Sequence, residues 1–392
     1  MPLPLNPAIA ATDPPAIMEA YRWLAAATPH PDRPLINISQ AAPTAPPPED
    51  LRQAMADLIM TDPTVHLYGP DLGLPALREA LAAEISGRYH GEVEVSQVAI
   101  TAGCNQAFTA AIATLAGPGD AVILPTPWYF NHKMWLDMNG IDAVPLATGD
   151  DLIPDAEHAA TLINDRTRAI VLVTPNNPGG VEYPAATMRA FFDLARKRNL
   201  ALIVDETYRD FDARYGAPHD LFTDPDWAGT LIHLYSFSKA YRLTGHRVGA
   251  MVSSAEQLAQ VEKYIDSTTI CPNQLGQRAA LWGMQNLGQW LAGERAEILD
   301  RRAAMTEAFK TLDGWRLRGI GAYFAYAEHP YDMPSDRLAK RLVQDHGILL
   351  LPATMFTPPG DPSGKRSLRI AFANIDRSGI TTLFDRLQNL NL

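Results

Sequence analysis

Three features of the sequence predict an α/β fold: a large domain on a mostly parallel sheet, and a smaller α+β domain. Short aliphatic runs without alternation recur from residue 98 onward: VAI at 98–100, AVIL at 121–124, AIVLV at 169–173, ALIV at 201–204 and LIHLY at 231–235. Such runs belong to strands buried on both faces. Helical segments such as 186–198 separate them, which is the rhythm of a parallel sheet with crossover helices. With 392 residues, 47% of them hydrophobic and 20% charged, the chain is globular and exceeds one ordinary domain.

Residues 1–34 hold a proline-rich lead and one short amphipathic helix near 17–27. INISQAAPTAPPPEDL (36–51) reads as an extended segment, a proline-punctuated loop and a helix start with acids in its first turn. The five runs and their helices follow. A long helical tract after Asn273, interrupted near Gly288, then connects the lobes. From about Asp313 come strands near 315–318 and 322–327, a helix at 335–346, strands near 348–351 and 367–372, and a closing helix from Ser378. The expected division is an N-terminal segment (1–45) joining the small domain, a large domain (46–285) and a small C-terminal domain (286–392).

The formal charge of −11, without a Lys/Arg cluster, argues against nucleic-acid binding. Two cysteines, Cys104 and Cys271, are too few for a disulfide framework or a Cys-based zinc site, and no metal is expected. The N-terminus lacks a basic region and is broken by prolines, so it does not read as a secretory signal. The uncharged stretch 96–119 contains Gly103, Asn105, Gln106 and Pro118, and reads as strand, turn and buried helix rather than a membrane span. A cytoplasmic protein follows from these readings.

Ligands of open α/β sheets bind beyond the carboxyl ends of the strands. In this chain polar residues stand immediately after each run: Cys104 and Asn105, then Tyr129, Asn177, Asp205, and Ser236 with Lys239. Lys239 lies in YSFSKAYRLTGHRVG (235–249), where a strand ends and a turn begins; the other six lysines sit mostly in polar or helical surroundings. A lysine withdrawn from water there loses affinity for its proton and becomes a usable amine nucleophile. The serines, the turn amides and Arg247 supply converging donors for a phosphate. An amine able to form a Schiff base beside a phosphate cradle is what pyridoxal 5′-phosphate requires.

Residues 235–249 resemble the cofactor-lysine motif of fold-type I pyridoxal-phosphate enzymes, specifically class I and II aminotransferases: S-x-S-K, a spacer, then G-x-R-x-G, matched by Lys239, Gly245, Arg247 and Gly249. HLYGPDLGLPALREAL (66–81) is similar to the family's Y-x-x-x-x-G-x-x-x-L-R through Tyr68, Gly73, Leu77 and Arg78. TAGCNQAF (101–108) resembles T-x-G-S-Q-Q-A-L, with Cys104 and Asn105 where Ser and Gln are common. PTPWYFNHK (125–133), TPNNPGG (174–180), VDETYRDF (204–211) and SLRIAFAN (367–374) match further segments in family order, Gly179 standing where threonine is usual.

The resemblance implies a role for each residue. Lys239 would hold pyridoxal 5′-phosphate as a Schiff base, and Asp205 would keep the pyridine nitrogen protonated. Tyr208 and Asn177 would share the phenolic oxygen, and Tyr129 would stack on the ring. Gly103, Cys104, Asn105, Ser236, Ser238 and Arg247 would hold the phosphate, with Tyr68 reaching across from the neighbouring subunit of a homodimer. Arg369, with Asn177, would bind the substrate carboxylate. Ala41 stands where a glycine usually meets that carboxylate, and Ala42 replaces an acid that often follows. The implied activity is a ping-pong aminotransferase acting on an L-amino acid and a 2-oxo acid. Alternatives are a β-eliminating lyase of the C–S lyase type on the same fold, and a non-catalytic sensor domain. The sensor is disfavoured because the 40 residues before the match are too short for a helix-turn-helix.

Overall fold

The computed structural model describes residues 3–28 and 31–391. Its largest sheet has seven strands: β1 (Val98–Thr101), β2 (Ala121–Thr126), β3 (Asp142–Ala147), β4 (Thr167–Val173), β5 (Ala201–Asp205), β6 (Leu231–Ser236) and β7 (Gly249–Val252). Their order is β1-β7-β6-β5-β4-β2-β3. Only β7 runs against its neighbours; the other adjacent pairs are parallel. The carboxyl ends of β1, β2, β4, β5 and β6 therefore share one edge.

Period-two alternation sends successive side chains to opposite faces. Ile123, Leu202 and Val204 pack with Leu81, Phe191 and Phe192 on one face. Val122, Leu124 and Ile203 pack with Phe108, Ile112, Val261 and Ile265 on the other. This double cover explains the unbroken apolar runs.

Two strands lie outside those runs. β3, DAVPLA, is an edge strand with only Leu146 fully buried, and Pro145 is tolerated because an edge leaves one row of N–H groups unused. β7, GAMV, is short and opens on Gly249, which sits in register with both Thr101 and Ser236. A Cβ on Gly249 would meet the backbone of Gly103 and Cys104, so glycine permits the turn after β1 to lie against β6.

A four-stranded antiparallel sheet, ordered Leu351–Pro352, Ser367–Ile370, Phe324–Glu328 and Arg316–Gly321, carries helices Ser335–His346 and Arg377–Gln388. Ala16, Ala20 and Trp23 of helix Ala16–Ala26, with Ile36 and Ile38, are buried in the same cluster as Leu342, Ile370 and Leu383. Ile36–Asn37 pairs in parallel with Ile348–Leu349. Helices Gln274–Asn286 and Gly288–Phe309, broken at Leu287, link this part to the large sheet. The proline-rich lead also contains a short helix, Pro7–Ala11, capped by Asn6, with Pro7 in the first turn, where a missing N–H costs nothing. Among the described residues no helix is long and apolar enough to cross a membrane.

Candidate active site

A cavity of about 370 Å³ opens at the carboxyl edge of the large sheet. One end is a set of donors. Helix Cys104–Leu115 starts there after Gly103, whose φ of +86° is a left-handed conformation that glycine adopts without strain. A Cβ on Gly103 would meet the Arg247 guanidinium, so the arginine rests against the helix N-terminus. Arg247 donates to the Thr244 carbonyl at 2.9 Å and to Ser238 Oγ at 3.5 Å. Ser236 caps the single turn Phe237–Ala240 by accepting from the Ser238 amide. Unsatisfied amides, hydroxyls and a guanidinium together form an anion cradle.

Asp205, the last residue of β5, is buried beneath the cavity. Its Oδ1 accepts from the Thr207 amide at 3.0 Å and from Cys104 Sγ at 3.5 Å, and its Oδ2 lies 3.4 Å from His132 Nε2. Burial pushes the carboxyl up, but the hydrogen bond and charge of His132, with the Thr207 donors, outweigh it and hold Asp205 below the usual carboxylate range. Burial and the nearby Asp205 charge push the Cys104 thiol well up, so it stays protonated. An acid ending a buried strand needs a cationic or donor partner, and His132 is that partner. His132 is held by stacking on Phe108 at 3.8 Å between ring centroids, with Tyr129 edge-on at 4.9 Å. Tyr129 hydroxyl donates to Asn105 Oδ1 at 3.4 Å.

Lys239 is half-buried over this floor, and its Nζ donates to the Ala41 carbonyl at 2.6 Å. Burial, then the positive charges of Arg247 and Arg369, push its ammonium down to about 8. Nζ lies 5.8 Å from the centre of the Tyr208 ring. At the far end Arg369 stands in strand Ser367–Ile370, only 2% exposed. It donates to Asn177 Oδ1 at 2.9 Å and to the Ser39 carbonyl. The rings of Phe356 and Phe324 flank it at 4.9 and 5.1 Å, and its Nε has no partner. Burial pushes this guanidinium down to about 10. Among the described residues no carboxylate pairs with it, and an unpaired buried cation costs several kcal/mol.

Ala41, Cys104, Asn105, Tyr129, Asn177, Asp205, Tyr208, Ser236, Ser238, Lys239, Arg247 and Arg369 all line this one cavity. Gly103 stands just behind Arg247. Tyr68 is not brought to the cavity of its own chain: it is 78% exposed. Arg78, beside it in the motif, has a structural task, donating to the Val95 and Val98 carbonyls at the start of β1. Trp128 belongs to the core rather than the cavity. Sequence reasoning missed His132 as the partner of Asp205, although it lies within the segment PTPWYFNHK (125–133). It also missed Pro15, Ile17 and Thr207 as wall residues, which carry no local signal.

The sequence model of the family described as aminotransferase class I and II matches residues 33–387. The chain belongs to this family. It is an enzyme of the transaminase class, and its fold is the fold-type I architecture. It is 28% identical over 353 residues to an aromatic aminotransferase of Arabidopsis thaliana, covering 87% of this chain and 86% of that one. A valine–pyruvate aminotransferase of Mycobacterium tuberculosis is 31% identical over 372 residues, 90% of each chain. Among solved structures, a single mutant of Thermus thermophilus aspartate aminotransferase superposes with a TM-score of 0.89 at 23% identity, covering 98% of this chain and 99% of that one. That likeness carries the fold alone.

Proposed function

We propose that this transaminase carries pyridoxal 5′-phosphate on Lys239 and moves an amino group from an α-amino acid to a 2-oxo acid in two successive half-reactions. The observation that carries the reading is the position of Lys239: a half-buried amine of lowered proton affinity, with an anion cradle on one side and, on the other, a buried guanidinium that meets no carboxylate among the described residues. The donor set fits the cofactor. Gly103, Cys104, Asn105, Ser236, Ser238 and Arg247 would hold its phosphate, Asp205 its ring nitrogen, Tyr208 and Asn177 its phenolic oxygen, and Tyr129 its ring face.

Bound there, the cofactor supplies an electron sink for a carbon that loses its proton. Lys239 takes and returns that proton, since an amine pushed down to about 8 is an effective base. Asp205 stays ionised because His132 and Thr207 stabilise the charge, and so it presents an acceptor to a ring N–H. Arg369 orients the substrate by two parallel bonds to its carboxylate, which suits an amino acid and its 2-oxo acid equally.

We further assign residues 1–45 and 286–392 to a small domain and 46–285 to a large one, and we assign Tyr68 to the cofactor phosphate of a second subunit in a homodimer. The separate buried clusters support the first assignment and the exposure of Tyr68 supports the second.

Borohydride reduction of the coloured protein, followed by peptide mapping, tests the reading. The cofactor should be recovered on Lys239, and adding an amino acid before reduction should abolish the labelling and release a 2-oxo acid. Recovery of the label on another lysine, or no 2-oxo acid from any amino acid, would overturn it.

A further inference from the structure

The relatives agree on the reaction and differ in the amino acids for which they are named, so the choice of substrate has to be read from the cavity walls. The following rests on the transaminase reading. Among the described residues of this chain, four charged side chains line the cavity: Lys239, Arg247, Arg369 and Asp205. Each is committed. Arg247 belongs to the donor cradle at Ser238, Lys239 is held by the Ala41 carbonyl, Arg369 stands with Asn177, and Asp205 is bound by His132 and Thr207.

Towards the N-terminal segment the wall also holds Pro15, Ile17, Ala41, Ala42 and Phe130, with Gln40 and Asn131. None of these carries a charge. Phe130 is fixed relative to the carboxylate end: its ring lies 5.5 Å from Phe356, and Phe356 lies 4.9 Å from the Arg369 guanidinium. An amino acid anchored on Arg369 therefore has an aromatic wall one ring away. Ile17 is set by helix Ala16–Ala26, whose Ala16, Ala20 and Trp23 are buried against the small sheet while Ile17 lines the cavity. A second carboxylate or a side-chain ammonium placed here would shed water and meet no opposite charge from this chain's wall. An apolar side chain would gain by the same transfer.

We propose that the cavity selects amino donors with uncharged, apolar side chains over aspartate, glutamate and the basic amino acids, with Phe130 and Ile17 as the specificity-determining contacts. The test is the half-reaction of the holoenzyme, followed by the absorbance of its cofactor, with leucine, methionine and phenylalanine set against aspartate, glutamate, lysine and arginine. The best apolar donor should exceed every charged one in kcat/KM by roughly 100-fold or more, the scale a mismatched polar group imposes. Phe130→Ala should lower kcat/KM for the apolar donors by about tenfold or more. Ile17→Arg, at a half-buried helix position, should narrow the gap for aspartate.

A charged donor within tenfold of the best apolar one overturns the selectivity. Unchanged ratios in both variants overturn the assignment to Phe130 and Ile17. Silence with every amino acid overturns the transaminase reading itself, which is a separate outcome.

Discussion

Lys239 is held in a form that a lysine in water does not favour. Burial and two neighbouring guanidinium groups lower its proton affinity from 10.5 to about 8. A cation disfavoured in the folded state is a cost to folding, fully present below pH 8 and gone above 10.5. That difference corresponds to about 3 kcal/mol at neutral pH. Lys239→Met apoprotein should therefore be more stable than the native apoprotein at pH 7, by about 1–3 kcal/mol after the lost bond to Ala41 is discounted. The gap should narrow as pH rises from 8 to 10.5 in denaturant titrations. A gap independent of pH would contradict the buried-cation account. Destabilisation of this kind at one residue is a common companion of function.

At the scale of an element, the end of β5 positions two carboxylates on opposite faces of the sheet. Asp205 turns to the cavity, and Glu206 turns to the core, where Tyr89 donates to it and His233 Nε2 lies 2.8 Å from Oε2. His219 stands 3.5 Å from the other oxygen. Burial opposes ionisation of Glu206, but His219 and His233 outweigh it, and its proton affinity falls well below the usual carboxylate range. A depressed acid stabilises the fold above its unfolded pKa and loses that contribution as pH falls towards the folded one. His233 is also pushed down, chiefly by burial, so protonating it works against the fold in acid. Glu206→Gln should cost about 3–5 kcal/mol at pH 7, the usual result of stripping one partner from a buried polar group. Its deficit should shrink as the native protein is acidified. Loss of less than about 1 kcal/mol in urea unfolding would show that the cluster holds little.

Tyr68 lies on the surface of its own chain, and we assign it to the neighbour's phosphate cradle. Two inactive variants, Lys239→Ala and Tyr68→Ala, then complement each other. A mixed dimer contains one site in which both residues are native, so dissociating and re-associating the mixture should restore activity that neither parent shows. An active monomer in sedimentation, or a mixture no better than its parents, would remove the assignment.

The parts of this protein that depend on neighbouring residues were legible in the chain itself. Runs of buried strand, the helix start after Gly103 and the turn that carries Lys239 rest on local periodicity and turn chemistry and stand where they were expected, whereas the strand expected near 348–351 is split between two sheets as Ile348–Leu349 and Leu351–Pro352. Tertiary structure alone decided the pairings. Lys239 meets the carbonyl of Ala41 across 198 residues, and Arg369 meets Asn177 across 192. His132 as the partner of Asp205, Ile17 in the cavity wall and the edge strand around Pro145 have no local signal, because each is defined by what packs against it. Local sequence sets which segments become strand, turn or helix. Which side chains converge on one point is set by the burial of apolar faces that lie far apart along the chain.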